Sequence, residues 1–229
     1  MTHDAFFGFH GAPAGAAVAP GWRRVVEPQS AIEVPVTLAE FAAFIEDPCP
    51  PDENTTEATL RTTWLRAATQ QVVEYLDREL LPREIVTRFD AYPQAHSSRG
   101  QLERIHGGDE FFAVLPRVPV KEFDKVEIVD DEGNASTVDP SEYVLDTVSE
   151  PARIHMPHPP RRPELQYFAG IRIYYTAGYE SDAIPEPCRL AVMMLAGYLY
   201  EHRGAEGDRP MRKSGAASVA SQYRIRIGL

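Results

Sequence analysis

The chain has 229 residues, 43% hydrophobic and 25% charged, which is apolar material for a real core and length for one large domain or one domain with extensions. A formal net charge of -11 argues against a protein that grips nucleic acid through its phosphates, because that takes basic patches. Two cysteines, Cys49 and Cys188, imply no disulfide framework, and no apolar run reaches the roughly 18–20 residues of a membrane span.

Residues 1–35 are rich in Ala, Gly and Pro, without a lasting period, and read as an extended arm. The arm lacks a basic stretch ahead of its apolar residues, so it makes a poor signal peptide. Phe6, Phe7, Phe9 and Trp22 gain by leaving water and are expected to lie against something.

A helix is predicted over residues 37–47. Thr37 and Glu40 have the spacing of a capping box, and Val36 and Phe41 that of a hydrophobic staple. Leu38, Phe41, Ala42 and Ile45 form its apolar stripe, and Pro48, Pro50 and Pro51 end it. A second helix is predicted over residues 54–81, capped by Asn54 with Glu57 and stopped by Pro82. Its stripe reads Leu60, Trp64, Ala68, Gln71, Val72, Tyr75, Leu76 and Leu80, with Arg61, Arg66, Glu74, Asp77 and Arg78 mostly off it.

Residues 83–176 change character, becoming short, β-branched and punctuated by Pro and Gly. Val126, Ile128 and Val129 lead into a turn of Asp130, Asp131, Glu132, Gly133 and Asn134, and residues 135–138 follow. This predicts a hairpin whose glycine takes the positive φ of the turn. Its tip is too polar for a core and is expected to be exposed. Further strands are predicted at residues 143–145, 152–155 and 171–175.

The third predicted helix covers residues 185–203, with Pro185 and Pro187 in the first turn, where a missing N–H costs little. Between Cys188 and Tyr200 it is apolar on nearly every face, so it should be buried nearly all round. Met194, Leu195 and Tyr198 are therefore expected inside the bundle or against a neighbouring subunit. Residues 205–229 read as a tail. Its Gly, Ala and Ser suggest a flexible tether through Ser221. Tyr223, Ile225 and Ile227 then alternate with Arg224 and Arg226, the period of a strand with one apolar and one basic face.

The expected fold class is α+β: a small α-helical bundle with a β-hairpin-rich insert, an extended N-terminal arm and a C-terminal tail. No GxxxxGK[ST], GxSxG, HExxH or CxxC motif is present. His155, Met156 and His158 lack a fixed helical spacing and a nearby carboxylate, and residues 130–134 lack the alternating ligands of a calcium loop. No catalytic, cofactor-binding or metal-binding residue is assigned, and no cofactor is expected. The alternative to a structural role is a soluble enzyme or ligand-binding domain with the β insert as a pocket floor.

The order and spacing of "LPRVPV" before the hairpin and of "YTAGY", "IPEPCRLA" and "YEHR" around the third helix carry a resemblance. Over residues 34–229 the chain resembles the head–tail connector proteins, also called adaptor or head-completion proteins, of long-tailed bacteriophages and gene transfer agents. The resemblance implies that residues 36–204 form the connector domain. It implies a homo-oligomeric ring, typically twelvefold, between the portal protein and the tail or its stopper or terminator. DNA would pass through the ring without specific binding, and no membrane or enzymatic activity would be involved. The location implied is the head–tail junction of the virion, with assembly in the host bacterial cytoplasm. In such a ring the tail residues Tyr223, Arg224, Ile225, Arg226 and Ile227 would dock on the portal by backbone pairing; the alternatives are a frayed terminus and a strand that pairs within the subunit's own β insert. The hairpin tip, Asp130 to Asn134, would meet an adjacent subunit or ring, and the aromatic arm would order on assembly.

Overall fold

Thr37 begins the first helix as its spacing to Glu40 predicts. In the computed structural model, which describes residues 24–47, 52, 55–89, 111–158, 166, 168–202 and 209–225, both halves of the capping box are made. Glu40 N–H donates to Thr37 Oγ1 at 3.2 Å, and Thr37 N–H donates to Glu40 Oε2 at 2.8 Å. Helix α1, Leu38–Phe44, follows, with Phe41 and Ala42 buried.

Helix α2, Thr56–Leu76, is capped by Thr55, whose Oγ1 accepts from Ala58 N–H at 3.2 Å; Asn54 lies outside the described residues. The helix stops earlier than its sequence pattern predicts, because Asp77 turns left-handed at φ 53°. The buried face is also rotated from the expected stripe: Ala58, Arg61, Leu65, Ala68, Thr69, Val72, Val73 and Leu76 are buried, and Leu60 is exposed. Arg61 enters this face because its charge is matched there. Its Nη2 lies 2.7 Å from Asp47 Oδ2, its Nε 3.1 Å from Glu57 Oε1, and its guanidinium over the Tyr200 ring.

Strand β1, Arg24–Pro28, pairs antiparallel with β2, Arg83–Phe89, from Arg24↔Phe89 to Pro28↔Ile85. The described part of the expected arm is thus built into the body, and Ile32 and Val34 pack on the helical core. Phe6, Phe7, Phe9 and Trp22 lie outside the described residues.

The remaining strands are β3 (Phe111–Val114), β4 (Val120–Val129), β5 (Ala135–Thr137), β6 (Val144–Asp146), β7 (Arg153–Met156) and β8 (Ile171–Ala177). They form a five-stranded sheet, β1-β2-β8-β4-β5, and a three-stranded one, β3-β7-β6, with every pairing antiparallel. Along β8, Ile171, Ile173, Tyr175 and Ala177 are buried, alternating with residues of the other face. They share one core with Ile85, Phe89, Phe111, Val126, Ile154 and Met156, so the two sheets enclose it between them.

Helix α3, Glu186–Glu201, centres a second core with α1 and α2. Cys188, Ala191, Val192, Leu195 and Ala196 are buried, while Met193, Met194, Tyr198, Leu199 and Tyr200 are half-buried and Leu190 is exposed. The helix is thus buried on one broad face and keeps apolar surface on the rest. Two helices the sequence reading did not foresee, α4 (Pro210–Lys213) and α5 (Ala216–Ala220), pack against it, together with a 3-10 turn, Ser221–Tyr223.

The two cores meet at the end of α2. Glu79, 1% exposed, lies 3.7 Å from Arg117 Nε and 3.9 Å from Arg83 Nη1, while its Oε1 has no hydrogen-bond partner. Gly178, at φ 131°, lets β8 pass here: a Cβ would fall 2.1 Å from the Leu81 carbonyl oxygen, and its N–H donates to Pro119 O at 2.9 Å.

Burial pushes the Glu79 carboxyl above its ordinary 4.5, with Arg117 and Arg83 opposing but not cancelling the rise. A carboxyl raised on folding gives its full stabilisation below the unfolded value and loses it as pH climbs through the folded one. Urea unfolding of Glu79→Gln beside the wild type from pH 4 to pH 8 is therefore expected to show the variant gaining relative stability once pH passes about 4.5. A wild type that gained on the variant across this range would refute the assignment.

Candidate functional site

The described residues of the expected docking strand, Tyr223, Arg224 and Ile225, are held on the chain's own body. Ala216 and Ala220 are buried, Met211 and Tyr223 pack against the α3 core, and small side chains let this segment lie close. The Gly, Ala and Ser content that suggested a tether instead permits close helix packing. Tyr223 ends a 3-10 turn and does not start a strand. Its carbonyl accepts from Arg78 Nε at 3.1 Å, the Arg224 guanidinium sits 4.7 Å over the Tyr75 ring, and Ile225 N–H donates to Leu76 O at 2.9 Å. Arg226 and Ile227 lie outside the described residues.

Leu76 is the last residue of α2, so Ile225 supplies a partner to one of the carbonyls a helix end leaves bare. Arg117 Nη1 also reaches this end, donating at 3.1 Å to Val73 O, which already accepts from the Asp77 and Arg78 N–H groups. No basic residue of α2 itself stands in its last turn, so the negative end of the helix draws its cations from other segments. Arg78, 5% exposed, spends all three guanidinium nitrogens: Nε on Tyr223 O, Nη1 on the Tyr179 hydroxyl and Nη2 on Glu150 Oε2 at 2.8 Å. Burial raises the Tyr179 hydroxyl despite Arg78. The sequence reading placed Arg78 off the helix stripe and missed this role. The available signal was the charged triplet Asp77-Arg78-Glu79 set between Leu76 and Leu80, on the period of the helix stripe.

The predicted hairpin forms between β4 and β5. Asp130 Oδ1 accepts from Asn134 N–H at 2.7 Å and Oδ2 from its side-chain amide at 3.0 Å, bonds that hold the Asp130 carboxyl below its ordinary range. Gly133 takes φ 90° as the turn demands. Asp131, Glu132, Gly133 and Asn134 are exposed and Asp130 is half-buried.

Of the expected helix contacts, Leu195 is fully buried, Met194 packs half-buried against the same core, and Tyr198 stacks on His202 at 4.2 Å between ring centroids. The docking segment, the hairpin tip and this helix are separate features and do not converge on one pocket. Among the described residues no group of three or more His, Cys, Asp or Glu could hold a metal, and no helix is long and apolar enough to cross a membrane. Met156 is buried in the β core and His158 is exposed, which separates two of the three side chains weighed as ligands. Burial pushes the Cys188 thiol up to about 11, far from a reactive thiolate.

No protein-family profile matches the chain, and no curated protein matches it. Solved structures do. A chain from the neck of an empty gene transfer agent particle, with C6 symmetry, aligns at TM-score 0.65 and 22% identity over 89% of this chain and 97% of that one. A chain from the virion of a native gene transfer agent particle aligns at 0.62 and 21%, over 88% and 96%. One from the neck of the native particle, with C12 symmetry, aligns at 0.58 and 22%, over 89% and 97%. At this identity the likeness establishes a shared fold.

A chain ending at Ala220 loses the Tyr223 and Ile225 contacts, and one ending at Ile225 keeps them. By urea unfolding, the first truncation is expected to cost about 1–3 kcal/mol, the scale of leaving a buried charged donor without its acceptor. The second should stay within about 0.5 kcal/mol of the full chain. Equal stability of the two truncated chains would contradict the anchoring.

Proposed function

We propose that this chain is a structural adaptor in the neck of a phage-like particle. Copies of it close into a ring, twelvefold in the completed particle, between the portal and the tail or its stopper, and the ring continues the channel through which DNA passes. The observation that carries this reading is the end-to-end likeness to neck chains, over 89% of this chain and 97% of the first of them. Half-exposed apolar surface on α3 supports it, since a ring subunit has two lateral faces to cover. The excess of acidic side chains suits a channel that DNA must slide through.

In this reading residues 226–229 continue past the Ile225 anchor and dock on the portal. Arg212, Lys213, Arg224 and Arg226 make this end basic, so the receptor is an acidic groove. The hairpin tip at Asp130 to Asn134 contacts the adjacent subunit or the next ring.

Electron microscopy of particles assembled with the full chain is expected to show it as a ring at the capsid vertex. The chain ending at Ile225 should fold normally and fail to join DNA-filled heads. A variant lacking residues 131–133 should likewise fold, and its particles should join tails poorly. Normal incorporation of the truncated chain would remove the docking role, and absence of the chain from the vertex would remove the adaptor reading altogether.

A further inference from the structure

The five-stranded sheet ends on β5, and among the described residues the outer edge of that strand is bare. Asp130 N–H donates to Asn134 O at 3.0 Å and Val138 N–H to Val126 O at 2.9 Å, and Ser136 stands opposite Ile128 between them. Bonded pairs alternate along an antiparallel ladder, so Ala135 and Thr137 turn their N–H and C=O groups away from β4. Ala135, Ser136 and Thr137 are all exposed. A sheet edge invites pairing, and proteins guard it with Pro, charge or cover. β1, at the opposite edge, contains Pro28 and also Glu27, whose Oε2 lies 2.7 Å from Arg88 Nη2. β5 has neither Pro nor charge. Its free edge is the four backbone groups of Ala135 and Thr137, so recognition draws on what surrounds it.

The surroundings are acidic. Asp130, Asp131 and Glu132 lead into β5, Asp139 and Glu142 follow it, and Asp124 is exposed on β4. Lys125 is the one basic residue of 124–142, and its Nζ is taken by Glu127 Oε1 at 2.8 Å. A bare edge accepts an extended segment by backbone pairing, and this field selects a basic one. A second copy fits poorly. The chain's net charge is -11, and its alternating basic stretch is anchored on its own body at Tyr223, Arg224 and Ile225.

We propose that the free edge of β5 receives an extended, basic segment of the next protein in the neck, which adds a strand to the five-stranded sheet. This rests on the adaptor reading and gives the hairpin its partner chemistry.

Hydrogen exchange at the Ala135 and Thr137 amides, in the free subunit and in tailed particles, tests it. Both amides should exchange fast in the free subunit and at least about tenfold more slowly in the particle. Thr137→Pro removes one outward N–H and spares the bonds to β4. Its folding equilibrium constant in urea should stay within about threefold of the wild type, while joining to tails falls about tenfold. Asp131→Lys with Glu142→Lys keeps every backbone group, and this variant should likewise fold and join poorly. Rings at the vertex whose two amides exchange as in the free subunit would overturn the proposal and leave the adaptor reading standing. So would protection that appears in rings of this chain alone, which gives the edge to a second copy, or normal joining by the charge-reversed variant. Absence of the chain from the vertex would instead remove the adaptor reading, and this proposal with it.

Discussion

The C-terminal end of α2 is where the molecule is tied together. A helix ends with bare carbonyls and a partial negative charge, and α2 has no basic residue of its own in its last turn to meet them. Ile225, from the far end of the chain, brings a donor to the bare Leu76 carbonyl, and Arg117, from between β3 and β4, sets its cation on Val73 O. Arg78, just past the helix end, reaches Glu150 beside β7, Tyr179 beside α3 and the Tyr223 carbonyl. An arginine buried this deeply would be costly without acceptors, and each of its nitrogens has one. The helical core, the β core and the C-terminal segment are thereby fixed to a common point, although each is built from a different stretch of sequence.

That arrangement explains how an acidic, proline-rich chain holds two modest cores. The α3 core and the core between the sheets meet at a shared border. Leu80 and Leu81 belong to the connection between α2 and β2, with Leu80 fully buried against the helical core. Gly178 lets the backbone of β8 press against that connection, an approach no Cβ would permit. The carboxyl of Glu79 is enclosed between the two cores, and burial outweighs its arginine partners. The border thus carries both the strongest polar tie, at Arg78, and a polar group held at a cost, at Glu79.

Local chemistry was legible in the sequence at several places where it depended on near neighbours, though the cap of α2 fell on Thr55, one residue after the one expected. The Thr37–Glu40 capping box, the Asp130–Asn134 turn with Gly133, and the prolines opening α3 all appear where spacing placed them. What depended on distant partners was not legible. Arg61 looked like solvent-facing charge, because its partner Asp47 and the Tyr200 ring come from outside its own helix. The early stop of α2 at Asp77 could not be seen, since Leu80 continues the apolar period beyond it. Strands β1, β2 and β3 were not singled out: β1 was merged with the arm, and the pairings that define them are non-local. At the candidate site, the hairpin tip was readable from its turn residues. The C-terminal segment was misread because small residues serve a flexible linker and a tight helix contact equally well, and only the α3 surface distinguishes the two.

The apolar surplus of α3 now has a two-part account. Its buried face is covered by α1, α2 and the returning segment α4–α5, which together seat Cys188, Ala191, Val192, Leu195 and Ala196. Of the rest, Met193, Met194 and Leu199 pack half-buried at the edge of the same core, Tyr200 donates to Glu57, and Leu190 is exposed. The chain carries a formal net charge of -11. Under the proposed ring, the same charge opposes close approach of copies, so lateral contact must come from apolar area and shape. A ring held this way would weaken little with rising salt, because screening relieves the repulsion between subunits and removes none of the attraction. The portal contact, proposed to run through a basic C-terminal end, would behave in the opposite sense and loosen as salt rises. The two proposed interfaces would therefore be separable by ionic strength alone.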